Sequence, residues 1–348
     1  MMNTTFDWAV LGAGPAGIAA IGKLIDQGIE PQRIAWIDPE FSVGDFGTRW
    51  RKVSSNTRVE LFLKFFQECR SFEYSTAPNH FLIHHINPKE TCSLELAADV
   101  LQWITDHLKN KVISFSEKVQ QLKLYERHWE LTMSNKKLRA KNVILATGSE
   151  PKSLTLPGVE EITLSTALDP EQLQSSCHKD DVIAVFGSSH SAILILKTLL
   201  EMCDVKKVIN FYLSPLRYAV YFDDWILFDD TGLKGEAANW AREHIDGQWP
   251  KKLERVIAHD ENKRMMLPLC NKAIYAVGFQ KRFVPIEGMH TLEYNDRSGV
   301  IAPGLFGLGI AFPEAKTDRF GTVEHRVGLW KFMEYLNFVM PVWLKYGV

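Results

Sequence analysis

Glycines at 12, 14 and 17 follow the apolar run Trp8 to Leu11, and an acid, Asp38, ends the next apolar run, Ile34 to Ile37. Residues of these types at this spacing can hold a dinucleotide. Gly12 permits a tight turn after a strand, Gly14 lets backbone approach a pyrophosphate, Gly17 lets a helix pack on the strand, and Asp38 can accept hydrogen bonds from a ribose diol. The helix expected from Pro15 to about Gln27, with Ala16 in its first turn, points its N–H groups and positive dipole end at the phosphates.

A second set of the same kind is G-S-S-H-S-A, Gly187 to Ala192, after the apolar run Val182 to Phe186. Ser189 stands where the second glycine would be, and a small hydroxyl residue still admits a phosphate with less room. His190, at the expected helix start with Ser191 beside it, either bonds a phosphate or caps and packs, since a helix N-terminus disfavours its protonated form. The next apolar run, Val208 to Leu213, ends in S-P-L-R instead of an acid. Ser214 and Arg217 therefore favour a 2′-phosphate, and NADP over NAD, with NAD left open.

Such motifs need strands and helices to hold them. At 348 residues and 46% hydrophobic content the chain can fill two domains. Forty basic and forty-two acidic residues, a formal charge of −2, give no reason to expect a nucleic-acid partner. Five cysteines at 69, 92, 177, 203 and 270 show no C-x-x-C and no metal-ligand spacing, so a reduced, cytoplasmic setting without a metal site is expected. The N-terminus lacks the pattern of a secretory signal, and no charge-free window of about 18 residues is present to span a bilayer. Residues 94–110 have helical periodicity, residues 112–115, 119–125 and 129–133 alternate as strands around a turn at 126–128, and 142–148 is a buried strand. The stretch 42–59 is expected as a functional loop and 221–266 as an insertion covering the site. The tail from Leu329 to Val348 is expected to dock on the core as a helix, with a peripheral membrane contact as the alternative.

Together G-A-G-P-A-G with Asp38, the A-T-G of 146–148, the degenerate motif of 187–192 and P-G-L-F-G-L-G of 303–309 resemble the two-dinucleotide-domain flavoproteins, which include thioredoxin-reductase-like enzymes and flavin-containing monooxygenases. The resemblance implies an α/β fold of two Rossmann-like dinucleotide-binding domains. An FAD domain, residues 1–155 with a β-hairpin near 115–135 and again 279–348, is interrupted by an NAD(P) domain, 156–278. FAD would lie on Gly12, Gly14, Pro15, Ala16 and Gly17, with Asp38 at the adenosine ribose, the Val119 backbone at the adenine, and Ala146, Thr147 and Gly148 beneath the adenosine. Gly309 would lie near the ribityl chain, and a helix from about Thr322 would aim its N–H groups at the flavin's pyrimidine edge. NADP would sit on Gly187, Ser189, His190, Ser191 and Arg217. Trp50 either walls the flavin ring or is a core aromatic, and Asn56 and Thr57 offer an amide and a hydroxyl to the ring edge. Ile310 stands where the family often has an acid, and the missing dithiol argues against a disulfide reductase.

The function implied is an FAD-dependent NAD(P)H oxidoreductase of the monooxygenase-like branch, passing electrons to oxygen or a small-molecule acceptor. A catalytically weak flavoprotein acting as a redox or nucleotide-sensing switch, and a quinone-directed reductase at a membrane surface, are the alternatives.

Overall fold

The computed structural model describes residues 5–78 and 80–347. In chain order the first part folds as β1 (Thr5–Leu11), α1 (Pro15–Asp26), β2 (Ile34–Ile37), β3 (Ser54–Arg58), α2 (Val59–Glu68), β4 (Thr91–Ser93), α3 (Leu94–Lys109), β5 (Ile113–Phe115), β6 (Gln121–Tyr125), β7 (His128–Thr132) and β8 (Lys137–Leu145). There follow β9 (Glu160–Glu161), β10 (Val182–Phe186), α4 (His190–Glu201), β11 (Lys207–Tyr212), α5 (Gly235–His244), β12 (Leu253–Ile257) and β13 (Lys272–Tyr275). The last part holds β14 (Val300–Ala302), β15 (Leu305–Gly307), β16 (Glu314–Thr317), β17 (Val323–Arg326) and α6 (Leu329–Tyr346).

Two parallel-cored sheets result. The first runs β14-β15-β8-β1-β2-β5, with the β6–β7 hairpin attached to β8. Its central strand β1 has parallel neighbours on both sides, so both faces are covered and Trp8 to Leu11 are all buried, which is why this strand reads as a continuous apolar run. The second sheet, β9-β13-β10-β11-β12, is parallel throughout. After it, the chain returns to the first sheet, where Leu305 to Gly307 pair with Val143 to Leu145. The fold is α/β with two Rossmann-like units.

Some local expectations are met and others are replaced by regular structure, each with a recognisable cause. The hairpin turn closes on Glu126 and Arg127, both at positive φ, the backbone that a two-residue connection between twisted strands demands. Residues 235–257, expected as part of an insertion, instead supply α5 and the edge strand β12 of the second sheet. The stretch 42–59 is not irregular: Gly44–Thr48 is a short helix and β3 pairs with β4.

One expectation about a site residue is overturned. The helix placed from about Thr322 begins at Leu329, and the preceding residues form the β16–β17 hairpin, so Thr322 starts no helix. Its N–H is donated to the Asp318 carboxylate at 2.8 Å within the hairpin turn, where Gly321 takes φ +84°. Val323 to Arg326 pair with Glu314 to Thr317, and Gly328 separates this strand from the helix. The tail docks as expected, with α6 lying on α1 and α2 and burying Met333, Leu336, Val339, Met340 and Trp343. Phe338 and Val342 remain on its outer side. Among the described residues no helix is long and apolar enough to cross a membrane.

Candidate dinucleotide sites and the cleft between them

At the end of β1, Gly12 has φ +109°, and a Cβ there would stand 2.2 Å from the Ala146 carbonyl oxygen. A Cβ on Gly17 would stand 1.9 Å from the Gly12 carbonyl oxygen. Strand, turn and helix thus touch backbone to backbone, and the Ala146 N–H donates to Leu11 O at 2.9 Å to hold residues 146–148 beside the turn. Gly14 is different: the nearest atom to its Cβ position is 3.8 Å away, so its side of the turn is open. Helix α1 starts there with Pro15 in its first turn and no side-chain cap. Its first N–H groups have no intrahelical partner, and an anion over Gly14 would satisfy them. The residues present therefore fit a dinucleotide pyrophosphate. Gly309 reaches the same helix start from the other end of the chain, its Cβ position 2.7 Å from the Ala16 Cβ, with half-buried Ile310 following.

The Asp38 carboxylate accepts from the Ala13 N–H at 2.8 Å and from the Glu40 and Phe41 N–H groups at 2.9 and 2.7 Å. It ties the glycine turn to the end of β2 and keeps lone-pair capacity on the oxygen that takes only one of these bonds. Val119 is buried at the entry to β6. Gly148 has φ +70°, its carbonyl accepts from the Arg282 N–H at 3.0 Å, the Thr147 hydroxyl donates to Arg282 O at 3.3 Å, and the Arg282 guanidinium meets Asp45 at 2.5 Å.

The second unit repeats the first. Gly187 has φ +123°, and its Cβ would stand 2.4 Å from the Ala276 carbonyl oxygen, the counterpart of the Gly12–Ala146 approach. Ser189 occupies the N-cap of α4 in extended conformation without using its hydroxyl as a cap, so this helix start is also open, with Ser191 in its first turn. Buried Asn210 donates to the Val185 and Gly187 carbonyls at 3.0 and 2.8 Å and accepts from Arg255 Nε at 2.9 Å. Arg217 is exposed and lies over the Phe228 ring, 4.6 Å from its centroid. Arg255, on β12, lies over Tyr212 at 4.5 Å with a buried Nη2 that has no partner. The sequence reading missed this arginine, whose only signal is one cation in the strand L-E-R-V-I.

Strand β3 lies where the two units meet. His190 Nε2 is 2.8 Å from Ser54 O, a carbonyl that only accepts, so the proton sits on Nε2. Nδ1 is buried without a partner, and burial pulls the imidazole pKa below its ordinary value. The histidine is thus neutral and committed to packing α4 on β3. Asn56 is exposed and accepts from the Thr57 hydroxyl at 3.2 Å. Trp50 meets Phe279 edge to face at 6.0 Å and packs on the second unit's core, the core-aromatic alternative.

A polar clasp, unforeseen in the sequence, joins residues 229–234 to the chain's last part. Glu324 accepts from the Asp230 and Thr231 N–H groups at 3.3 and 3.1 Å and from the Thr231 hydroxyl at 2.6 Å. Lys331 pairs with Asp229 at 2.7 Å and Asp230 at 2.8 Å, and the charge of Lys331 helps hold the Asp229 carboxyl below its ordinary pKa against the opposing effect of burial. His325 is exposed beside Glu324 on β17, a strand where a helix was expected.

All five cysteines are free thiols. Cys69 and Cys92 are buried, and burial raises both thiols, that of Cys92 to about 11. Cys177 and Cys203, with 25 residues between them in the chain, face each other closely enough that the Cys203 thiol and burial raise the Cys177 pKa. Cys203 lies just past the C-terminal end of α4, a 12-residue helix, so the length of the helix separates it from the open N-terminus, about 18 Å at 1.5 Å per residue.

A family model for pyridine nucleotide-disulphide oxidoreductases matches residues 6–202. The monooxygenase AgnR1 of Paecilomyces divaricatus is 33% identical over 386 residues, covering 96% of this chain and 97% of that protein. A flavin-containing monooxygenase from Stenotrophomonas maltophilia superposes with a TM-score of 0.63 at 15% identity, covering 98% of this chain and 99% of that one. Bacillithiol disulfide reductase Bdr of Staphylococcus aureus does so with a TM-score of 0.60 at 11% identity over the same shares. At these identities the structural likeness shows the fold.

Proposed function

From the premise that the chain belongs to the pyridine nucleotide-disulphide oxidoreductase family and is a flavin oxidoreductase with FAD and pyridine-nucleotide sites, we propose that it is an NADPH-dependent monooxygenase acting on a small organic molecule in the reduced cytosol. The observation that carries the reading is the duplicated turn, Gly12 against Ala146 and Gly187 against Ala276, each opening an uncapped helix within one chain. Bound FAD would take hydride from NADPH and pass the electrons to oxygen or a small acceptor.

In this reading residues 1–155 and 279–348 form the FAD half and 156–278 the nucleotide half. Gly12, Gly14, Pro15, Ala16 and Gly17 hold the FAD pyrophosphate, Asp38 the ribose, and the Val119 backbone the adenine. Ala146 to Gly148 run beneath the adenosine, Gly309 adjoins the ribityl chain, and Asn56 faces the ring edge with Trp50 backing it through Phe279. Gly187, Ser189 and Ser191 hold the NADP pyrophosphate, His190 fixes α4 on β3, and Arg255 joins Arg217 at the 2′-phosphate, where a fixed guanidinium matches phosphate. The open N-terminus of α4 beside Ser189 favours a working nucleotide site over a non-catalytic switch.

The test is aerobic turnover of FAD-loaded protein with NADPH and NADH while peroxide is scored. NADPH oxidation faster than NADH oxidation supports the reading. Equal inertness to both nucleotides overturns it.

A further inference from the structure

A cleft of about 1180 Å³ opens between the β3–β4 hairpin and α5, and a smaller cavity of about 130 Å³ adjoins it through shared walls at Ser54, Lys197 and Glu236. None of the residues assigned above to either dinucleotide lines the larger space. Ser54 and Arg58 on its wall stand two residues before and two residues after Asn56 on β3, so the cleft adjoins the strand that faces the flavin edge in the proposed function. Its size exceeds the roughly 300–1,000 Å³ of ordinary small-molecule pockets, which leaves room for a multi-ring compound.

The lining divides by charge. On the helical side the inner acids are already answered: Lys197 pairs with Glu236 and lies 3.9 Å from Glu201, Trp240 Nε1 donates to Glu201 at 2.5 Å, and the exposed Glu243 at the rim reaches only His244, at 3.9 Å. On the hairpin side Lys52 lies 3.9 Å from Glu95, but two further cations are not answered within the cleft. Lys89 is exposed with no ion pair among the described residues, and Arg58 reaches only the exposed Glu60, at 3.5 Å. The adjoining Glu90, also without an ion pair, is the one acid on that side among the described residues. The Arg58 guanidinium lies over the Tyr221 ring, 4.3 Å from its centroid, and Leu233, Ala238 and Trp240 give the opposite wall a buried apolar face.

A guanidinium held flat on an aromatic ring keeps its N–H edge free for a carboxylate, and the ring and apolar wall suit a flat hydrocarbon body. We propose that this cleft binds the organic acceptor and that the acceptor is an aromatic carboxylate, its acid group on Arg58 and Lys89 and its rings between Tyr221 and the α5 wall. The role as acceptor rests on the monooxygenase reading; the ligand class rests on the cleft.

The test is a titration of FAD-loaded protein with 2-naphthoate, 2-naphthamide and cyclohexanecarboxylate, read by tryptophan fluorescence and by the flavin band. 2-Naphthoate is expected to bind at least tenfold more tightly than either of the others. Arg58→Gln should weaken it tenfold or more and leave 2-naphthamide unchanged, and Lys89→Gln, on an exposed turn, should weaken it several-fold if the first variant does not fold. Equal affinity for the amide, an unaltered Kd in folded Arg58→Gln protein, or no binding of 2-naphthoate at millimolar concentration overturns the proposal. NADPH reduction of the flavin in the same samples bears on the functional reading alone, so the two can fail separately.

Discussion

Gly187→Ala should separate the two dinucleotide sites within one protein. The added Cβ would stand 2.4 Å from the Ala276 carbonyl oxygen, whereas ordinary contacts begin at 3.4 Å, so the turn or the end of β13 must move by 1.0 Å, the difference between these distances. Holding a non-glycine residue at φ +123° adds backbone strain of about 1–3 kcal/mol. A displacement of that size at a binding turn costs about 100-fold in kcat/KM, equivalent to about 2.7 kcal/mol of transition-state stabilisation. The first unit lies in the other sheet and should keep its flavin. The assay is kcat/KM for NADPH beside the ratio of FAD to protein and the Tm. Expected are a lowered Tm, an unchanged FAD ratio and kcat/KM down about 100-fold, chiefly through KM. Folded, FAD-loaded variant with kcat/KM within twofold of the parent would refute the assignment of Gly187 to the nucleotide turn.

Asp38→Ala removes the acceptor of three backbone N–H groups, at about 1–3 kcal/mol for each buried donor left unpaired, so the denaturant midpoint and the FAD ratio should both fall. Lys331→Met removes the cation on Asp230 while Asp229 keeps Lys234, so the loss in denaturant unfolding at neutral pH should be about 1–3 kcal/mol, below the roughly 3–5 kcal/mol of a fully uncompensated buried charge. Asp229 is held below its unfolded value of about 3.9, so in the parent this contribution is complete above pH 4 and fades as pH falls through the lower folded value; the variant should show a weaker dependence there. Burial lowers the His190 pKa beneath its unfolded value near 6.5, so the unfolded state binds the extra proton and stability drops as pH falls from about 6.5 toward the folded value. His190→Gln should flatten that slope while preserving a donor to Ser54 O, and a slope unchanged in the variant would assign it to another group. Cys203→Ser should leave NADPH oxidation unaltered, because the Cys177–Cys203 pair lies beyond the far end of α4; a loss of more than tenfold in folded protein would point to a dithiol step.

What could be read from the sequence was local. Gly12, Gly17 and Gly187 announce themselves because one turn and one helix packing, each within a few residues, require the missing Cβ. Helix α3 and the β6–β7 hairpin were legible from periodicity for the same reason. Contacts made across the fold were not. Trp50 could be placed only once Phe279, 229 positions later, was seen against it. Arg255 gains meaning from Asn210 on the neighbouring strand, and Glu324 and Lys331 from a turn nearly a hundred residues earlier. The sequence does not mark the start of α6 because the hairpin before it is short and polar, so no apolar periodicity distinguishes its strands. Cys177 and Cys203 illustrate the same limit, since spacing in sequence conceals a pairing that folding creates.

The central claim, that one chain brings a flavin and a pyridine nucleotide together for electron transfer, is met most directly by anaerobic mixing of FAD-loaded protein with NADPH and then NADH, following the oxidised-flavin band. Prompt bleaching by NADPH, slower bleaching by NADH, and recovery of the band when air is admitted are expected. A yellow protein that neither nucleotide bleaches would contradict the claim.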